Sequence, residues 1–146
     1  MTMQWREFQE TAERLAQGAT EGDWRSAVSR GYYAVFHFFR DFLLVHGLDV
    51  GAGAQSHFNV YSGLLHCGFA VVATIASRID ALRERRAWCD YDLRQSIRQA
   101  FAQRQVQEAA SIVADFQLLL ATLPAVPIVA GAKQHLQSIG RLRKTP

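Results

Sequence analysis

The sequence predicts an all-α protein, an up-down bundle of about five helices. Three observations carry that expectation. Residues 1–123 contain no proline, whose ring interrupts helices. Apolar residues recur at intervals of three and four along most of this span. No stretch shows the strict alternation of a half-buried strand. The chain has 146 residues, of which 49% are hydrophobic, so it can bury a real core and is not a disordered polymer.

Thr2 is placed to cap a first helix running to about Gly18, with Trp5, Phe8, Ala12 and Leu15 on one face. "GATEGD" is a turn. Asp23 is placed to cap a second helix that stops at Gly47. "LDVGAGAQ" is a glycine-rich loop, but it lacks the spacing and the following Lys-Ser/Thr of a phosphate-binding loop. Ser56 caps a third helix through Val60 and Leu64 to about Cys67, and Gly68 breaks the chain. A fourth helix runs from about Ala70 to Trp88, with Val71, Ile75, Ile79 and Leu82 inward. "CDYDL" reads as a turn. The last long helix covers roughly 96–123, with Phe101, Val106, Ala109, Ile112, Val113, Phe116, Leu119 and Leu120 for packing. Residues 1–123 thus form one domain, and 124–146, which hold all three prolines, read as a basic, irregular tail.

The net charge of +3 is concentrated in that tail. It holds Lys133, Arg141, Arg143 and Lys144 and no acid; the rest balances 12 arginines against 13 carboxylates. An overall basic surface for nucleic acid does not follow. The internal concentration is Arg78, Arg83, Arg85, Arg86, Arg94, Arg98 and Arg104, diluted by Asp80, Glu84, Asp90 and Asp92. Cys67 and Cys89 form no CxxC pair, so no zinc site is expected, and no other metal or cofactor. The N-terminus is amphipathic and acidic rather than a leader, and the apolar runs are too short or interrupted to span a bilayer. Those features predict a cytoplasmic protein with free thiols and no membrane partner.

The second helix separates into two faces on a wheel. Val28, Tyr32, Val35, Phe36, Phe39, Phe42 and Leu43 form a core face. Arg30, Tyr33, Ala34, His37, Arg40, Asp41 and Leu44 form the other. Such a polar stripe is either a wet face with a His37–Asp41 contact or the wall of a cleft or partner surface.

The segments "SRGYYAVFHFFRDFLLVHG", "QSHFNVYSGL" and "LRERRAWCDYDL" resemble, in order and spacing, three successive signatures of the HEPN domain. The resemblance is to its small stand-alone prokaryotic branch and spans roughly residues 20 to 120. It implies a HEPN-like helical bundle that commonly forms homodimers, often encoded beside a nucleotidyltransferase-like partner in toxin–antitoxin or defence systems. Several HEPN proteins are metal-independent RNases with an Arg followed four to six residues later by His. The Arg fork holds the scissile phosphate, and the His moves protons at the 2′-hydroxyl and leaving oxygen. Here Arg86 is present, but Cys89, Asp90, Tyr91 and Asp92 fill the window where the His belongs. Asp90 and Asp92 are poor acids at neutral pH and repel phosphate.

The expected function is therefore a homodimeric binding or assembly module, dimerising through the aromatic helix. One alternative is an RNase-like toxin using Arg86 with His37, His57 or Asp90 as a non-standard acid–base group. Another is nucleotide or RNA binding without chemistry, with Trp88 and Tyr91 stacking on bases. The residues at issue are Arg30, Tyr33, His37, His57, Arg86, Asp90, Tyr91 and Asp92, either as a pocket or as a buried hydrogen-bond network. His46 and His66 are expected at helix ends or the surface, and His135 on the tail.

Overall fold

A computed structural model describes residues 3–142. They are all-helical, with six helices: α1 (Trp5–Ala16), α2 (Glu21–Val45), α3 (Gln55–Leu65), α4 (Ala70–Tyr91), α5 (Gln99–Leu119) and α6 (Ala125–Ser138).

The helix ends are set by local chemistry. Thr2 lies outside the described residues; Gln4 caps α1 instead, with the Glu7 carboxylate accepting the Gln4 N–H at 2.9 Å. Before α2, Thr20 Oγ1 accepts from the Asp23 N–H and Asp23 Oδ2 from the Thr20 N–H. Asp23 therefore closes a capping box from inside the helix. Gly47 ends α2 at φ +89°, and the Leu48 N–H returns to the Leu43 carbonyl at 2.8 Å. At α3 the helix starts one residue before Ser56, whose hydroxyl donates to the Gly53 carbonyl.

Two segments differ from expectation. "CDYDL" does not turn at once: α4 continues through Tyr91, and Asp92 begins the turn. The tail is not irregular, because α6 occupies Ala125–Ser138 with Ile128, Val129, Ala132 and Leu136 buried. Pro124 is its N-cap and Pro127 its third residue, where a missing N–H costs nothing because that N–H has no partner in a helix. The prolines mark a helix start there, which also raises the helix count to six. On α4 the buried residue of the first turn is Val72, while Val71 is exposed.

The chain divides into two compact units, each crossing several helices. One joins the chain up to Phe38 with Ile79–Ala114; the other joins Phe39–Arg78 with the chain from Asp115. In the first unit, Ala12, Ala16, Ala27 and Val106 form one apolar cluster and Val28, Cys89, Ile97 and Ala102 another. Small side chains set the helix approach: a Cβ on Gly31 would stand 3.5 Å from Ala109 Cβ and 3.9 Å from Ala12 Cβ. The second unit is centred on aromatics, with Phe116 packed edge-on against both Phe39 and Phe42. There α3 packs against α6.

All seven residues of the core face expected on α2 are buried. That face is buried inside the chain, as expected of a core face.

Candidate functional site

Arg86 is the centre of the site, in the first unit. One turn along α4, Asp90 Oδ2 lies 3.5 Å from Arg86 Nη1. From α2, the Ser29 hydroxyl donates to the same Asp90 oxygen at 3.1 Å. Arg86 Nη2 donates to the Tyr33 hydroxyl at 3.4 Å. The guanidinium carbon also lies 5.3 Å from the Tyr32 ring, 5.4 Å from Tyr33 and 5.8 Å from Tyr91.

Only 13% of the Arg86 side chain is exposed, and its Nε is buried without a hydrogen-bond partner among the described residues. A charge taken this far out of water requires a counter-charge, and Asp90 provides it. Burial pushes the Tyr32 phenol up, with the Arg86 charge acting in the opposite direction.

Around this centre the polar stripe of α2 continues. Arg30 lies 5.0 Å from the Tyr33 ring and 5.5 Å from Phe8 of α1. Phe8 stacks on His37 with ring centroids 4.9 Å apart. Tyr33 and His37 are 6.3 Å apart. The stripe is therefore lined by α1 and by Arg86 rather than being a plain solvated face. Arg30, Tyr33, His37, Arg86, Asp90 and Tyr91 are linked by neighbouring contacts. His57 lies on the first turn of α3, in the other unit. Asp92 acts apart from the cluster, since its carboxylate accepts the Arg94 N–H at 3.2 Å and shapes the turn.

Three participants escaped sequence reading: Ser29, Phe8 and Arg25. Ser29 had a signal, since it precedes Tyr33 by one turn and a serine inside an apolar helix needs a partner. For Arg25 only the i,i+4 spacing to Glu21 was a signal; its other partners are backbone carbonyls 63 to 70 residues away. Its Nη1 donates to the carbonyls of Trp88 (3.3 Å), Cys89 (2.8 Å) and Asp92 (3.1 Å), and its Nη2 to that of Gln95. Glu21 completes the clamp by accepting both the Ile97 N–H at 2.9 Å and Arg25 Nε at 3.0 Å. These two bonds, the Ile97 N–H first, hold its carboxyl below the usual range. Its contribution is therefore present at neutral pH and is lost as pH falls through that lowered value.

This clamp carries α4 past "CDY", by satisfying the last carbonyls of the helix. Arg25→Ala is expected to lower stability by about 1.5–3 kcal/mol, the range for charge-assisted hydrogen bonds. Urea unfolding checks it, and an unchanged midpoint would remove Arg25 from this role.

Of the seven internal arginines, five are engaged. Arg78 pairs with Asp115 at 2.7 Å, Arg83 with Asp80 at 2.9 Å, Arg86 with Asp90 and Arg94 with Asp92, while Arg85 bonds Gln105. Arg98 and Arg104 instead line a hollow of about 440 Å³ with Trp88 and Phe101. Among the described residues no group of three His, Cys, Asp or Glu side chains is arranged to hold a metal. Both cysteines are free and buried, and burial raises both thiols, Cys89 to about 11. Burial thus disfavours the thiolate at both positions. His135, expected on an irregular tail, sits on α6 with Nε2 2.9 Å from Ser62 Oγ and its ring 4.2 Å from that of His66. Burial first, and then His66, lowers its pKa. No helix among the described residues is long and apolar enough to cross a membrane.

The arrangement around Arg86 is chemically that of a buried ion pair. A phosphate approaching the guanidinium meets the Asp90 carboxylate beside it, and no imidazole stands in the window after Arg86. Compared with protein-family models, with curated protein sequences and with solved structures, the chain gives no match.

Proposed function

We propose that the protein is a non-catalytic, HEPN-like binding and assembly module. In this reading it is a homodimer that works beside a nucleotidyltransferase-like partner in a toxin–antitoxin or defence-type system. The observation that carries the non-catalytic part is the state of Arg86, neutralised by Asp90, bonded to Tyr33 and flanked by three tyrosines. A catalytic Arg has to offer its fork to the substrate; this one is spent within the fold. The family and the dimer rest on the three signature segments. The core face of α2 is internal, so in this reading the dimer contact draws on the remaining surface, the opposite face of α2 included. An apolar groove lined by Val71, Ile75, Leu118 and Leu119 in the second unit is available surface.

The test compares wild type with Arg86→Gln. Both are expected to leave host growth unaffected on expression and to leave bulk RNA intact after purification. Light scattering is expected to give about twice the 16.4 kDa chain mass. Toxicity or RNA cleavage that disappears in Arg86→Gln makes the protein the RNase-like toxin instead.

A second reading, nucleotide or RNA binding without chemistry, is favoured by the Trp88–Phe101 hollow with its two arginines. Aromatic faces stack on bases while arginines neutralise phosphates, so binding there would weaken steeply with salt.

A further inference from the structure

The hollow lined by Trp88, Phe101, Arg98 and Arg104 lies wholly within the first unit and has a volume of about 440 Å³. Small-ligand pockets run from about 300 to 1,000 Å³, so this one has room for a single small molecule. Its lining residues come from the end of α4, from the turn after it and from the start of α5. Two kinds of side chain there are left unsatisfied by the fold.

The first kind is aromatic. Trp88 is 39% exposed, and Phe101 is half-buried, packed against the cluster of Val28, Cys89, Ile97 and Ala102. Aromatic surface left in water gains by being covered, and a flat ring covers it best. The second kind is cationic. Arg98 and Arg104 are both exposed, and neither side chain makes an ion pair or hydrogen bond among the described residues. No carboxylate is among the described residues that line the hollow. Here the contrast is with Arg86, whose charge Asp90 neutralises. Two guanidinium forks at one hollow, with no acid lining it, suit the oxygens of a carboxylate or phosphate.

The surrounding chain is held in place before any ligand arrives. Arg25 Nη1 donates to the Trp88 carbonyl at 3.3 Å and Nη2 to that of Gln95, while Glu21 accepts the Ile97 N–H at 2.9 Å. Walls fixed in this way cost a ligand little ordering. The reach of the free charge limits the size of that ligand. A bound nucleic-acid strand is followed by a groove of cations along its backbone. Arg78, Arg83, Arg86 and Arg94 are each paired with a carboxylate, so uncompensated charge does not run on from the hollow along these residues.

We infer that this hollow binds one small aromatic anion, a flat ring carrying a carboxylate or phosphate. The ring covers Trp88 and Phe101, and the anionic group lies against Arg98 and Arg104. The assignment rests on the same hollow as the second reading of function and narrows its ligand from a strand to a single small molecule.

The experiment is a proton–nitrogen correlation NMR titration of the full chain with four probes: naphthoate, naphthyl phosphate, cyclohexanecarboxylate and a short oligouridylate. Both naphthyl anions are expected to shift the Trp88 indole N–H and the Phe101 and Arg104 amides saturably. The tighter of the two identifies the anionic group as carboxylate or phosphate. Cyclohexanecarboxylate, which has the charge without the flat ring, is expected to bind about fivefold more weakly or worse. Arg98→Gln combined with Arg104→Gln, at exposed positions and with a spectrum that reports folding, is expected to weaken naphthyl binding about tenfold or more. The proposal is overturned if neither naphthyl anion moves these resonances, if cyclohexanecarboxylate binds as tightly as naphthoate, or if the double variant binds as wild type does. Oligouridylate binding without naphthyl binding overturns it while leaving the RNA reading intact, and silence from all four probes removes both.

Discussion

Phe116→Ala is expected to destabilise the protein by about 3–5 kcal/mol, the range for emptying a buried aromatic site. The ring is fully buried, 4.8 Å from Phe39 and 4.9 Å from Phe42, edge-on to both. Removing it deletes two aromatic contacts and leaves a void between α2 and α5 that rigid helices close only in part. Domains of this size have about 5–15 kcal/mol in all, so roughly a fifth or more of the stability is at stake. Urea unfolding followed by far-ultraviolet circular dichroism measures it. Leu118→Ala, two residues along but 74% exposed, is expected to change stability by about 0.5 kcal/mol or less. Equal effects at the two positions would contradict the packing described here.

Gly131→Ala is also expected to destabilise the protein, although it adds one carbon. A Cβ at this position would stand 1.9 Å from the Cys67 carbonyl oxygen and 2.8 Å from the Cys67 carbonyl carbon. Those are backbone atoms and cannot rotate away, so α6 has to move off the end of α3. Overpacking costs about 1–3 kcal/mol and sometimes more, and contact against backbone belongs at the upper end. Alanine's better helix propensity returns about 1 kcal/mol. A net loss of about 2 kcal/mol is therefore expected in thermal or urea unfolding. Gly63→Ala offers a graded comparison. Its Cβ would meet the flexible Leu136 side chain at 3.3 Å and Ala132 at 3.4 Å, so its cost should be smaller. A stabilised Gly131→Ala protein would show that α6 is not seated as described.

Periodicity carried most of the fold. The apolar stripe of α2 was readable because seven side chains at helical spacing leave little freedom about which way the helix faces. The start of α6 was not, because Pro124 and Pro127 act as breakers inside a helix and as starters at its first turn, and spacing alone does not separate the two. Val71 was misassigned because the adjacent valines at 71 and 72 give the wheel two registers differing by about 100°.

The candidate site was legible to the extent that it is made of side chains meeting side chains. Arg30, Tyr33, His37, Arg86 and Asp90 lie on helix faces whose directions follow from the sequence. Beyond the Glu21–Arg25 pair, the clamp was invisible because its other acceptors are main-chain carbonyls, which every residue has. The bond from Asn59 Nδ2 to the Val50 carbonyl at 3.1 Å was equally hidden, because its acceptor is main chain too.

Loops between helices usually accept inserted residues, because their backbone answers to water and little else. The connection from Asp92 to Gln99 does not have that freedom. The carbonyls of Asp92 and Gln95 are held by Arg25, the Ile97 N–H by Glu21, and the Gln99 side chain donates to the Ala16 carbonyl at 3.0 Å. One added residue would put these groups out of register with partners that stand on other helices. The length of this short segment is therefore as strictly prescribed as the length of a helix turn, and a fusion or tag belongs elsewhere on the chain.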